Sequence, residues 1–302
     1  MTPLPTLRQL HYLTALAEHG HFGRAAEACL VTQSTLSAGL QELEALLGTV
    51  LVERTKRHVM LTPLGLAVTE RARRLLVDAQ ELVDVVRAAD APLSGVVRLG
   101  VIPTIAPYLL PRVMPALRAA YPQLKLVLRE DMSARLAEAL KAGALDVLLL
   151  ALPWPIDGAE TLEVGDDTFL LAVPPGHPLA TAPAIHSTDL ALAELLLLEE
   201  GHCLRDHALA ACHMVARPGG EQGVSGTSLH TVVQMVANGL GVTLLPRMAV
   251  EAGALAGTDL VVRALADPGA KRRIGLAWRA SSPRKAEMQA LAAVIATGMA
   301  AL

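Results

Sequence analysis

Apolar residues recur at helical spacing through the first 60 positions and divide them into three short segments. Leu7, Leu10, Leu13 and Ala17 form one stripe that stops near Gly20, and Phe22 to Cys29 forms a second segment in which Ala25 and Ala26 let a neighbour approach closely. Thr32 has the chemistry of an N-cap, and Leu36, Leu40, Leu43 and Leu47 follow it at steps of four, three and four. Opposite that stripe lie Gln33, Ser34, Thr35, Ser37 and Gln41, a polar face able to read base edges and hold phosphates. The pattern predicts a helix-turn-helix followed by a hairpin. Thr62-Pro63 then starts a longer helix reaching about Ala89, with Val68, Ala72, Leu75, Ala79, Leu82 and Val86 alternating as a heptad seam. The seam suits pairing with a second copy, or packing against its own domain.

Asp90 to Gly95 breaks that helix, and beyond it the texture becomes alternating strands and helices. Strands are expected at Val96–Ile102, Leu124–Arg129, Leu145–Leu152, Phe169–Val173, Leu195–Leu198, Val242–Leu245, Leu260–Ala264 and Ile274–Trp278. Helices are expected at Tyr108–Ala120, Ser133–Ala142, Leu229–Asn238 and Arg284–Met299. The alternation predicts an α/β domain with a mainly parallel sheet.

Composition changes this picture little. At 302 residues the chain suits two or three units, and with 2% aromatic residues its cores must be aliphatic. A net charge of −3 does not announce a nucleic-acid partner, so any DNA contact must be local. In the first unit Arg8, Arg24, Arg54, Lys56 and Arg57 are offset by Glu18, Glu27, Glu42, Glu44 and Glu53. No signal-peptide pattern or membrane-length apolar run is present, which leaves a cytoplasmic location and no membrane as the expectation.

Chemistry concentrates in Glu200-Gly201-His202-Cys203-Leu204-Arg205-Asp206-His207, which holds one of the three cysteines, with Cys212 nine residues further on. A helix beginning here, with Arg205 and His207 nearby, is expected to favour the Cys203 thiolate. On a helix that spacing is about 13 Å of rise, whereas a disulfide needs Cα atoms within about 7 Å. The sulfurs can therefore join only if the segment is rebuilt. Two other readings stay open: buried, inert cysteines, or zinc ligation by His202, Cys203, His207, Cys212 and His213, whose spacing matches no common zinc pattern.

Three stretches carry a family resemblance. FGRAAEACLVTQSTLSAGLQELEALLGTVLVERTKRHVMLTPLG is similar to the winged helix-turn-helix of the LysR-type transcriptional regulators, although Ser34 and Gln41-Glu42 depart from residues common there. GHCLRDHALAAC and VIPTIAPYLLP resemble segments of the peroxide-sensing OxyR branch of that family. The resemblance implies a winged helix-turn-helix domain at residues 1–62 and a dimerising linker helix at 63–89. It implies a two-lobed, periplasmic-binding-protein-like regulatory domain at 95–302, with lobe one at about 95–165 and 269–302 and lobe two at about 166–268. It implies a homodimer or homotetramer that binds promoter DNA, with RNA polymerase as a further partner. Hydrogen peroxide would be sensed through a reversible Cys203–Cys212 disulfide to control oxidative-stress genes, without cofactor or metal.

The implied DNA-contacting residues are Arg24, Thr32, Gln33, Ser34, Thr35, Ser37, Arg54, Lys56 and Arg57. Thr104, Ser133, His202 and Arg272 would form the peroxide cleft, Arg205 and Asp206 would anchor the reduced form, and Cys29 would be core. The competing functions are a LysR-type regulator answering to a small organic effector, and an enzyme, a thiol peroxidase using Cys203.

Overall fold

The helical stripes of the first 60 residues close into a three-helix core in the computed structural model. It describes residues 4–54, 59–90, 92–192, 195–211, 226 and 228–301, without the side chains at 54, 84–90, 191–192 and 211. The chain divides between Val86 and Arg87 into two units.

In the first unit, helix α1 (Leu7–His19) begins with a reciprocal cap: Thr6 Oγ1 accepts from Gln9 N at 3.2 Å and Gln9 Oε1 accepts from Thr6 N at 3.0 Å. It ends at Gly20, where φ is +60°. Helices α2 (Phe22–Ala28) and α3 (Gln33–Leu47) follow, the second capped by Thr32 Oγ1 accepting from Thr35 N. Leu10, Leu13, Leu16, Ala25, Ala26, Leu36, Leu40 and Leu43 meet in one core. Strands β1 (Val52–Arg54) and β2 (Val59–Leu61) form the antiparallel hairpin. The Glu44 carboxylate fixes its entry by accepting from Leu51 N at 2.8 Å and Val52 N at 3.0 Å.

Helix α4 (Pro63–Asp90) starts where Thr62 Oγ1 accepts from Gly65 N. Its seam is not one surface. Ala72 is buried in the core of its own unit with Val68 packed against it, whereas Leu75 and Leu82 are 52% and 72% exposed. A heptad stripe specifies a face to be covered, not which chain covers it. The amino-terminal part of the predicted dimer seam is thus covered in cis.

The second unit opens with strand β3 (Val96–Val101), helix α5 (Ala106–Ala120), strand β4 (Lys125–Glu130), helix α6 (Ser133–Lys141) and strand β5 (Val147–Leu152). Strand β6 (Ala159–Val173) is 15 residues long. Helix α7 (Cys203–Ala211), helix α8 (Leu229–Ala237), strand β7 (Thr243–Pro246), helix α9 (Arg247–Glu251), strand β8 (Val261–Ala264), strand β9 (Lys271–Arg279) and helix α10 (Lys285–Ala300) complete it. The sheet order is β4-β3-β5-β9-β6-β7, with β8 also on β6.

The expected mainly parallel sheet is corrected here. Among the named strands of this unit, only β3–β4 and β3–β5 pair in parallel, while β5–β9, β6–β9, β6–β7 and β6–β8 are antiparallel. The cause is one long strand shared by two cores. The first part of β6 pairs with β9, and from Phe169 onward it pairs with β7 and β8 instead. The expected strand at Leu195–Leu198 reduces to single parallel bridges, Leu195 to Val242 and Leu198 to Gly226.

Two aliphatic cores result. One gathers Val97, Leu99, Leu148, Leu150, Ile274, Leu276 and Leu291, and the other Phe169, Leu171, Leu190, Val233, Val242 and Leu245. Tyr108 packs against both. At roughly 25 cal/mol per Å², such burial is the main force holding each lobe.

Candidate sensing site and DNA-binding unit

Helix α7 is wedged at the boundary between the two cores. Its first residue, Cys203, is 4% exposed and belongs to the first core, while Leu204 and Ala208 belong to the second. The helix packs on β5 and β9. Gly201 turns the chain into it with φ +98°, and a Cβ there would lie 3.1 Å from Met132 Sδ.

Ahead of Cys203 lies a cavity of about 10 Å³, lined by Ile102, Pro103, Thr104, Met132, Ser133, Gly201, His202, Cys203 and Leu204. That is close to the roughly 10–15 Å³ needed for one water by the same measure. Thr104 follows β3, Ser133 opens α6 just past β4, and His202 precedes α7, so three chain segments converge on the thiol. Ser133 Oγ and His202 Nε2 are buried and make no hydrogen bond. Such groups cost free energy unless something polar reaches them.

Arg272 stands behind this wall, with a fully buried side chain. Its Nε donates to Asp167 Oδ2 at 3.0 Å, Nη1 to Thr104 Oγ1 at 2.8 Å and Nη2 to the Thr104 carbonyl at 2.9 Å. The other Asp167 oxygen accepts from Met248 N at 3.1 Å.

The thiol's state differs from expectation. Burial pushes the Cys203 pKa up; Ser133 and the Arg272 charge pull against it, and Asp206 adds to the rise. Ser133 is near enough to favour the thiolate without making a directed hydrogen bond. Arg205 turns instead to the Leu198 carbonyl at 3.4 Å, a long contact that ties α7 to the preceding segment. Burial and the Arg272 charge push His207 down, opposed by Asp206 and the Ala151 backbone, so near neutral pH it is no cation for the thiol. The expected thiolate support from Arg205 and His207 is thus replaced by Ser133 and Arg272. Asp206 is exposed, in the first turn of α7, and has no hydrogen bond or ion pair among the described residues. Cys212 and His213 lie outside the described residues.

Of the residues singled out from sequence, Thr104, Ser133 and His202 line this cavity and Arg272 bonds to Thr104 behind it; Asp167 and Met132 are not among those singled out. Asp167 lies in AETLEVGDDT, whose polarity hides a strand, and Met132 gives no signal beyond its place next to Ser133.

In the first unit, Arg24, Thr32, Gln33, Ser34 and Thr35 are exposed, and Ser37 is half-buried. Thr32 Oγ1 lies 2.9 Å from Ser34 Oγ and 2.8 Å from Thr35 Oγ1, a hydroxyl cluster at the start of α3. The Arg54 side chain, Lys56 and Arg57 lie outside the described residues. Among the described residues no helix is long and apolar enough to cross a membrane.

Comparison with known proteins agrees with this architecture. Residues 7–66 match the bacterial regulatory helix-turn-helix of the lysR family, and residues 90–300 match the LysR substrate binding domain. A probable hydrogen peroxide-inducible genes activator from Streptomyces viridosporus is 44% identical over 98% of this chain and 95% of its own. The regulator EstR from Acinetobacter baylyi is 43% identical over 96% of both. A full-length OxyR variant from Pseudomonas aeruginosa superposes with a TM-score of 0.80 at 38% identity, covering 97% of this chain and 95% of that one. A Corynebacterium glutamicum OxyR cysteine mutant with hydrogen peroxide bound gives 0.67 at 32% identity, over 100% and 94%. The family is one of DNA-binding regulators rather than enzymes, which sets the thiol-peroxidase alternative aside. The chain belongs to the LysR family of bacterial helix-turn-helix transcriptional regulators, with OxyR proteins among its relatives.

Proposed function

We propose that this regulator senses hydrogen peroxide, with Cys203 as the thiol attacked and Cys212 as its resolving partner. The observation that carries the reading is the cavity at Cys203. At about 10 Å³ it is of the size of one small polar molecule, and two of the residues that line it, Ser133 and His202, each carry a buried polar atom with no hydrogen bond. Pockets for drug-sized ligands run to about 300 Å³ or more, far above this volume. The peroxide-bound relative supports the same reading.

The Cys203 thiolate attacks one peroxide oxygen. The S–O bond forms as O–O breaks, sulfur loses two electrons to the peroxide, and the departing hydroxide takes up a proton to leave as water. Burial raises the Cys203 pKa, and Ser133 and Arg272 reduce that rise without cancelling it. Cys212 then displaces hydroxide from the sulfenic acid to form the disulfide, and water leaves again. Helix α7 occupies Cys203–Ala211, about 12 Å of rise from its first residue to its last, so returning the chain beyond it to Cys203 requires α7 to unwind. Because α7 contributes to both cores, unwinding alters both, and Arg205 holds the reduced form through Leu198.

The output is a change in how a homodimer or homotetramer sits on promoter DNA and engages RNA polymerase. Thr32, Gln33, Ser34, Thr35 and Ser37 on α3, with Arg24, Arg54, Lys56 and Arg57, supply the base and phosphate contacts. The exposed Leu75 and Leu82 of α4, with Ala79 and Val86, supply the seam between copies. Residues 1–62, 63–89 and 95–302 serve as reader, linker and sensor. Cys203→Ser tests the reading: the variant binds the same DNA, and its promoter output no longer changes with peroxide. A full peroxide response in that variant ends the proposal. A response restored by a small organic acid in its place identifies an effector-gated regulator.

A further inference from the structure

We propose that Asp167 is a positioning residue for peroxide reduction: it holds the Arg272 guanidinium so that Thr104 turns its hydroxyl hydrogen toward the leaving oxygen. This rests on the peroxide reading above and adds a role for a residue that does not line the cavity.

The argument starts from register. Asp167 on β6 stands directly opposite Arg272 on β9, one pair before the end of their ladder. The carboxylate cannot swing away, because Oδ2 receives the guanidinium and Oδ1 the Met248 amide that starts α9. The guanidinium is clasped in turn, its fork spanning the carboxylate on one side and both oxygens of Thr104 on the other. Removing the partner of a buried cation leaves its charge uncompensated and its position unfixed.

The consequence falls on Thr104. Its hydroxyl oxygen accepts from Arg272 Nη1, so that direction is closed to the hydroxyl's own hydrogen. The hydrogen must turn elsewhere, and Thr104 is one of the residues that line the cavity beside Cys203. When the thiolate attacks, negative charge develops on the leaving oxygen, and a donor already aimed there stabilises it without reorganisation. Neither Asp167 nor Arg272 lines the cavity, so Asp167 acts through two intermediaries.

The test uses reduced full-length protein and two reagents at one pH: hydrogen peroxide, which needs the donor, and iodoacetamide, which needs only the thiolate. Asp167→Asn is expected to slow the peroxide reaction of Cys203 about a hundredfold. Alkylation should hold or quicken, because an uncompensated Arg272 favours the thiolate. That divergence is not produced by loosened packing, which moves both rates together. In a Thr104→Val background the same substitution should cost under about twofold, the mark of a shared pathway.

Unchanged peroxide kinetics in Asp167→Asn, or losses that multiply with Thr104→Val, overturn the proposal. Should Asp167→Asn fail to fold, Arg272→Lys carries the same test, since a single ammonium cannot span Asp167 and both Thr104 oxygens. It should slow peroxide at least about tenfold with alkylation preserved, and a native peroxide rate there overturns the idea. A native Cys203 that reacts with peroxide no faster than free N-acetylcysteine instead removes the peroxide reading itself.

Discussion

Two buried arginines in the regulatory unit have opposite fates. Arg284 donates to Glu287 Oε2 at 2.7 Å and to the Val96 carbonyl at 3.0 Å, and lies 3.7 Å from Asp146, which also accepts from Arg98 N. Those partners tie the start of β3 to α10. Arg272 is buried more deeply and as well paired, yet one of its donors ends on the hydroxyl of Thr104, a residue of the cavity lining. A buried ion pair therefore does not by itself mark a site. What distinguishes Arg272 is that its network ends on a residue lining a cavity beside a nucleophile.

The comparison breaks most readily at Arg284. Replacing it with methionine strips Glu287 of its cation and leaves Asp146 with Arg98 alone, and should cost about 3–5 kcal/mol of stability. The peroxide rate of the folded protein should not move, so a denaturant melt paired with thiol kinetics checks both halves. Arg272→Met should do the reverse where it matters. Cys203 oxidation should fall about a hundredfold, and the midpoint of its pH–alkylation curve should rise above its already raised position, because a charge that lowers it is gone.

A smaller contrast lies along α4. Ala72→Leu overfills its own unit's core and should cost about 1–3 kcal/mol, read by thermal melting. Leu82→Lys should weaken self-association in sedimentation with little effect on stability, because Leu82 is exposed and Ala72 is not.

The smallest effect is linked to pH. His207 is pushed down in the folded state, so the folded protein binds fewer protons than the unfolded chain below about pH 6.5. Its contribution to stability is present above that pH and is lost as pH falls through the folded value. Cys203 is pushed up, so its contribution is present below the ordinary thiol value and is lost as pH rises through the folded one. Melts of His207→Gln and Cys203→Ser across these ranges should flatten the acid and alkaline limbs respectively.

Much of this was legible in the sequence because it is local. Gly20 and Thr32 mark helix ends through short-range backbone chemistry, and α1 to α3 have the bounds their stripes imply. Thr104 and Ser133 were legible as residues just past strands. What was hidden is non-local. Pairing direction is not written in an apolar run, so β9 did not announce that it runs against β5. Asp167 was invisible inside a polar stretch whose strand character comes from its partner across the sheet. The sign of the Cys203 shift was misread because helix position is local and burial is not.

The most direct measurement is thiol mapping by mass spectrometry after a brief, stoichiometric peroxide pulse on reduced full-length protein. The account predicts a Cys203–Cys212 linked peptide with Cys29, the half-buried thiol at the end of α2, still free. Recovery of Cys203 as an unmodified thiol, or linkage of Cys29 in its place, contradicts it.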